Sequence, residues 1–310
     1  MNILITGALG HIGSYLFRNI LKNKSIKKIY LIDVAKNNNL NTIFNIPKNK
    51  KKIFFYLHNL IDKKIFYRLN DINIIIHLAS LTNAEESVEK KKEIYNNNFI
   101  IFKNIVNFAI RNKVKLIHIS STSVYGFQKG IVHETERNLK PQSPYAHVKL
   151  LEEKLLHKNR RNLKYITLRF GTIFGKSFGM RFHTVVNKFC FNTVLKKPLP
   201  VWATALNQYR PYLSIKDAIK SINFVIKKNI FDNQIYNVLT NNYTVQEVLN
   251  SIKKNKYKFK IKKTFSKIMN QYSYNVSKEK FENLGIRLKS SLDQDIKNTF
   301  RLFTNINKSN

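Results

Sequence analysis

Residues 1–21 read "MNILITGALGHIGSYLFRNIL", and within them Gly7, Gly10 and Gly13 recur every third position between an apolar run and a helix-like segment. The run Asn2–Thr6 reads as a strand and Ile12–Leu21 as a helix with its apolar side toward a sheet. Two readings of the glycines compete: a cradle for the pyrophosphate of a dinucleotide, or a glycine-rich turn that binds nothing. In the first, Gly7 makes the tight turn, Gly10 lets the chain approach the pyrophosphate, and Gly13 lets helix and strand pack closely. The helix start then offers unpaired N–H groups to the phosphates, and Leu9, His11 and Ile12 join the glycines around the cofactor. Asp33 ends a second apolar run 20 residues past Gly13. A carboxylate there accepts both ribose hydroxyls and repels a 2′-phosphate, which selects NAD; Lys36 nearby leaves NADP open.

The rest of the chain repeats the same alternation. Strand-like runs at Lys28–Ile32, Lys52–Leu57, Asn73–Leu78, Leu116–Ser120 and Lys164–Arg169 are separated by helical segments, notably Lys91–Asn112 and Tyr145–Arg160. Between the second and third lies a low-complexity stretch, Asn37–Lys52, read as a loop. This pattern predicts an α/β fold: a Rossmann-type doubly wound parallel sheet with helices on both faces. Beyond Gly175 the alternation degrades into an aromatic, irregular segment, Lys176–Asn207. A helix at Asp217–Lys228, a strand at Ile235–Leu239, a helix from Val245 and a last helix after Ser291 follow. We expect a Rossmann domain over residues 1–175, with parts of 208–238 packing on it, and a smaller, interwoven C-terminal substrate-binding lobe over 176–310.

Composition narrows the remaining classes. The 310 residues are 43% hydrophobic, with 22 Phe and 15 Tyr, enough for a large core. The formal charge of +37 comes from 55 Lys and Arg against 18 Asp and Glu. Those lysines are scattered among asparagines and isoleucines, as at Lys48–Lys52 and Lys253–Lys263, which reads as solvated surface and not as a nucleic-acid site. Cys190, the single cysteine, excludes an internal disulfide or a multi-cysteine metal site and reads as a buried hydrophobe. No leader or run of 18 apolar residues is seen, so the expectation is a cytoplasmic protein with no membrane partner and no metal.

Two further stretches carry chemistry. "HISSTSVYG" follows the fifth strand, and "YAHVK" begins 20 residues past Tyr125. Tyr145 and Lys149 share one helix face, and an ammonium beside a phenol brings its pKa down from about 10. The phenolate then takes a hydroxyl proton as hydride leaves the carbon for NAD, while Ser121, backed by Ser123, holds the same oxygen.

Together the glycine spacing, the serine run and the Tyr145–Lys149 pair resemble the NAD-dependent epimerase/dehydratase branch of the extended short-chain dehydrogenase/reductases over nearly the whole chain. The resemblance implies that Asn59 and Leu60 flank the adenine, with Asn59 where the family usually has Asp. It implies that "HLAS" (His77–Ser80) brings Leu78, Ala79 and Ser80 along the cofactor, with Ser120 beside them, and that Asn98 supports the site. "RFGTIFG" carries Thr172 and Phe174 where the family usually has Asn and Tyr. "YRPYLSIKD" places Arg210 where an arginine grips the diphosphate of a nucleotide-sugar, with Thr82, Ser121, Ser123 and Thr172 completing the substrate set. His77 reads as a structural strand-end residue, Asp217 as an orienting one, and Trp202, Phe182 and Tyr212 as either stacking platforms or core. A homodimer through the two long helices is the family expectation.

The family's dehydratases carry an acid pair before V-Y-G and its decarboxylases a glutamate there; this chain has Ser121, Thr122 and Ser123. What remains is reversible hydride transfer on a nucleotide-sugar. An epimerase returns the hydride to the other face of the sugar, whereas a dehydrogenase or reductase uses the same residues and releases changed cofactor. A regulator that binds the dinucleotide without chemistry is the third reading.

Overall fold

The computed structural model describes residues 1–34, 42–43, 52–82, 91–202, 204–264 and 274–303. Lys36 and most of the stretch read as a loop before the third strand lie outside them. The isoleucine-rich runs form strands because β-branched chains fit a pleated surface buried on both sides. They are β1 (Asn2–Thr6), β2 (Lys28–Asp33), β3 (Ile53–Leu57), β4 (Ile74–His77) and β5 (Lys115–Ser121). After the two-residue β6 (Ile131–Val132) come β7 (Tyr165–Phe170), β8 (Thr172–Phe174), β9 (Leu199–Trp202), β10 (Tyr209–Ser214) and β11 (Ile235–Val238). Seven of them make one parallel sheet in the order β11-β7-β5-β4-β1-β2-β3. Strand order reverses between β1 and β4, which opens a crevice at their carboxyl ends where Gly7 and His77 stand.

Successive side chains of β1 go to opposite faces, and a separate core forms on each. Ile3 and Ile5 join Leu16 and Phe17 of α1 (His11–Ile20). Leu4 joins Phe102 and Ile105 on the other side, from a helical stretch that the sequence reads as one piece. That stretch is instead α2 (Lys91–Ile94), a π-helical turn at Tyr95–Phe99, and α3 (Ile100–Arg111). The extra residue of a π turn re-aims side chains, and here Asn98 is turned inward. Beside it runs α4 (Pro144–Lys158), capped by the Ser143 hydroxyl on the Ala146 N–H at 3.1 Å with Pro144 at its first position.

The second lobe gathers α5 (Val185–Val194), α7 (Val245–Lys254) and α9 (Leu292–Phe300) on a core that includes Phe189, Cys190, Leu249 and Phe300. A small sheet ordered β12 (Asn241–Thr244), β10, β8 adjoins it, and β13 (Ile261–Thr264) pairs with β9. Cys190 is fully buried, and burial pushes its thiol up to about 12, as suits a small hydrophobe.

The lobes interleave more than a boundary at Gly175 allows. Between the small sheet and β11, α6 (Ile215–Lys228) packs on the main core. Beyond β14 (Asn275–Val276), which pairs with β6, Phe281 of the short α8 (Glu279–Glu282) and Ile286 and Leu288 after it return to that core. Conversely β8, inside 1–175, pairs with β10 of the second lobe. The chain crosses at Gly171, where a Cβ would lie 2.9 Å from the Pro211 carbonyl oxygen.

One buried ion pair fixes α4 on the sheet. Glu153 accepts from Arg169 Nε at 2.9 Å, from Arg169 Nη2 at 2.7 Å and from the Ser120 hydroxyl at 2.6 Å. Removing one partner of such a pair strands the other charge, so Glu153→Ala is expected to lower stability by about 3–5 kcal/mol. Urea denaturation followed by circular dichroism measures it, and a loss below about 1 kcal/mol would place the pair in solvent.

Candidate active site

The glycine loop follows from close contacts. Gly7 has φ +68°, and its N–H donates to the Ile32 carbonyl at 2.9 Å. A Cβ on Gly13 would lie 2.2 Å from the Gly7 carbonyl oxygen. Gly10 heads α1 without any side-chain cap, so the first N–H groups of the helix are left facing a cavity of about 340 Å³. A Cβ on Gly10 would point into that space, 3.5 Å from Arg181 Nη2. An uncapped helix start, bare glycine backbone and a nearby guanidinium together fit the pyrophosphate of a dinucleotide.

Gly7, Gly10, His11, Ile12 and Gly13 all line the cavity, as do Leu78, Ser80 and Thr82 across the crevice. Asp33 accepts from Leu9 N–H at 2.7 Å and from Val34 N–H at 2.7 Å, and so braces the loop end of β2. Neither Leu9 nor Asp33 is among the residues lining the cavity, and the same holds for Asn59, Leu60, Ala79 and Asn98. Asn59 accepts from its own loop at Ile61 N–H, 3.0 Å. Leu60 is buried in the core, with its carbonyl on Asn104 at 3.0 Å. Asn98 holds both polar groups of the Leu81 backbone, at 2.8 and 3.0 Å, and so positions the loop that carries Ser80 and Thr82.

Ser120, Ser121 and Ser123 come from the end of β5 and the turn after it. The Ser120 hydroxyl is taken by Glu153, so only its backbone is available to a ligand. Ser123 Oγ donates to Ser121 Oγ at 2.9 Å, and the Ser121 hydroxyl stands close enough to the Tyr145 phenol to draw it down slightly. Lys149 Nζ lies 5.8 Å from the centre of the Tyr145 ring. The phenol, two hydroxyls and the ammonium thus converge on one wall, opposite the glycine loop. Burial raises the Tyr145 phenol above its ordinary range, and although Lys149 pulls it down, Glu152 pushes it back up. Lys149 does pull the phenol down, as the helix spacing predicts, but burial outweighs that pull, and Glu152, 2.8 Å from the ammonium, adds to the rise.

His77 is structural. The Thr6 hydroxyl accepts from Leu78 and Ala79 N–H, so its own proton goes to His77 Nδ1 at 2.8 Å. Burial lowers His77 to about 3, and burial likewise lowers His11, whose Nε2 reaches the Gly175 carbonyl at 2.7 Å, to about 4. Both are neutral when folded and protonate near 6.5 when unfolded, so their stabilisation is complete above 6.5 and is lost as pH falls toward 4. The melting temperature is expected to fall between pH 7 and pH 5, and to fall less in His11→Gln; equal drops would refute this.

The substrate end is built by the second lobe. Thr172, Arg210, Trp202 and Tyr212 line the cavity, while Phe182 packs on Phe191 and Phe303 instead. Asp217 accepts from Thr240 and from Ser290 N–H, an orienting role. Sequence reasoning missed three residues. Gly179 crosses over the glycine loop so tightly that a Cβ would lie 2.1 Å from the Leu9 carbonyl oxygen. Arg181 donates to the Thr82 hydroxyl, and its buried guanidinium feels the Tyr145 phenol and the Asp33 carboxylate. Tyr274 stacks under Arg210, with the guanidinium 5.3 Å from its ring centre. Only the single Arg in "FGMRFHT" signalled any of them, and an irregular segment has no period from which to read orientation.

A parallel sheet with a glycine loop at its switch point, and Ser, Tyr and Lys on the facing wall, defines a dinucleotide-dependent oxidoreductase-type site. The model of the NAD dependent epimerase/dehydratase family matches residues 3–238, and the chain belongs to that family. A Bacillus subtilis protein named as an uncharacterized UDP-glucose epimerase is 29% identical over 237 residues, covering 74% of this chain and 73% of the relative. The ADP-L-glycero-D-manno-heptose-6-epimerase of Brachyspira hyodysenteriae is 27% identical over 246 residues, 77% of this chain and 76% of the relative. Among solved structures, the Bacillus cereus UDP-glucuronic acid 4-epimerase with UDP-glucuronic acid and NAD superposes with a TM-score of 0.88 at 23% identity, covering 99% of this chain and 100% of that one. Among the described residues no helix is long and apolar enough to cross a membrane, and no cluster of metal-ligating side chains occurs.

Proposed function

We propose that the protein is an NAD-dependent epimerase of a nucleotide-activated sugar, working by oxidation of a ring hydroxyl and re-reduction on the opposite face. The observation that supports hydride transfer at a sugar hydroxyl is the convergence of Ser121, Tyr145 and Lys149 on the cavity that the glycine loop closes from the other side. When bound, NAD supplies the hydride acceptor and then the hydride donor. The glycine loop and the start of α1 hold its pyrophosphate, with Arg181 adding positive charge from the second lobe. Tyr145 takes the proton of the sugar hydroxyl as the C–H bond breaks and gives it back when the C–H bond re-forms, while Ser121 holds the same oxygen. Lys149 supplies the positive charge that stabilises the phenolate before the first of those steps and after the second.

Arg210, which is partly buried and faces the cavity from the second lobe, is suited to the diphosphate of the nucleotide. The absence of an acid pair at Ser121, Thr122 and Ser123 leaves nothing to expel a hydroxyl as water, which favours epimerisation over dehydration. Relatives named as epimerases support the same direction. A homodimer through α3 and α4 fits the exposure of Tyr95 and Ile100 at the start of that face. Incubation of the purified protein with UDP-glucose, UDP-glucuronic acid and UDP-N-acetylglucosamine, followed by proton NMR, tests the proposal. One inverted ring stereocentre with no net change in NADH is expected. Stoichiometric NADH consumption or release would instead assign a dehydrogenase or reductase.

A further inference from the structure

Behind the reacting groups lies a carboxylate for which the proton-transfer steps above have no use. Glu152 is fully buried, and its Oε2 accepts from Lys149 Nζ at 2.8 Å and from His118 Nε2 at 2.9 Å. Its Oε1 has no partner. The neighbouring Glu153 points elsewhere and is consumed by Arg169 and Ser120, so the two glutamates are not interchangeable. Tyr145, Lys149 and Glu152 stand at i, i+4 and i+7 and share one face of α4.

We propose that Glu152 is a positioning residue for the Tyr145–Lys149 pair: it seats the ammonium behind the phenol and keeps the buried set electrically neutral while the phenol retains its proton. This rests on the reading of Tyr145 as the acid–base group. A lysine buried alone surrenders its proton, and a neutral amine cannot favour a phenolate. Glu152 keeps Lys149 charged: burial pulls the ammonium down, but Glu152 and Tyr145 more than reverse that. The same negative charge opposes phenolate formation, so the first proton leaves the three-residue set at higher pH than it would leave a Tyr–Lys pair alone. The other groups facing this set are His118 from β5, His77 from β4, Glu153 on α4 and Arg181 from the second lobe. Both histidines are held neutral by burial.

Full-length protein labelled with [4-13C]tyrosine and saturated with NAD gives a direct readout, with the Tyr145 signal assigned by its loss in Tyr145→Phe. In Glu152→Gln, which keeps an acceptor for Lys149 but removes the charge, the first pH-dependent movement of that signal is expected about one pH unit below wild type. A residue that merely supports packing would lower the melting temperature without moving this titration. Movement no earlier than in wild type overturns the proposal. Should Glu152→Gln fail to fold, Glu152→Asp withdraws the charge by one methylene and is expected to shift the signal in the same direction by less, with an unshifted signal again overturning it. The functional reading fails separately, if Tyr145→Phe retains turnover, since the ionisation measurement needs none.

Discussion

Tyr145→Phe is expected to slow epimerisation by about 10²–10⁴-fold while leaving NAD affinity within about twofold of wild type. The substitution deletes one oxygen and keeps the ring that packs beside Lys149. The phenol lies beside Ser121, and three of the polar groups near it are already engaged. Lys149 is held by Glu152, the Ser120 hydroxyl by Glu153, and His77 by Thr6. Single-turnover measurements of NADH absorbance with UDP-glucuronic acid or UDP-glucose, alongside a calorimetric titration with NAD, separate the two effects. Retained turnover would remove Tyr145 from the chemistry. Lost NAD affinity would mean that the phenol supports the cofactor and not the reaction.

Gly13→Ala is expected to weaken NAD binding by about tenfold to a hundredfold, with some loss of fold stability. Its Cβ would stand 2.2 Å from the Gly7 carbonyl oxygen and 2.8 Å from Ala8 Cα, and backbone on both sides leaves no flexible atom to give way. The loop must open, and the N–H groups at the start of α1 lose their aim. Gly10→Ala separates binding from folding. There the added methyl meets the Gly7 carbonyl oxygen at 3.3 Å, which asks a shift of only a few tenths of an ångström, and Arg181 Nη2 at an ordinary 3.5 Å. It also occupies the space into which a pyrophosphate must come. Normal circular dichroism with reduced NAD affinity is therefore expected for Gly10→Ala. Unaltered affinity in both variants would take the pyrophosphate of NAD away from this loop.

The sheet was legible because most of its strands are short apolar runs, and β1, β2, β4 and β5 are buried on both faces. The glycine loop, Asp33, Ser121, Tyr145 and Lys149 were legible because their spacing is local: a turn, a strand end, one turn of helix. Even there the surroundings added to a residue's role. Asp33 stands where a ribose-binding carboxylate belongs, and its oxygens also brace Leu9 and Val34. Lys149 sits one helical turn from Tyr145 and pulls its phenol down, but burial outweighs the pull.

By itself the sequence determined the α/β sheet, the place of its crevice and the residues on the reacting wall, because hydrophobic periodicity and helix spacing are properties of neighbouring positions. Only the tertiary structure decided which charges meet. Glu152 reaches His118 by the packing of α4 on β5, Arg181 reaches Thr82 across the lobes, and Gly179 lies on the glycine loop from far along the chain. Electrostatic fields depend on distance through space, which the order of residues does not encode until the sheet, its helices and the second lobe are packed together.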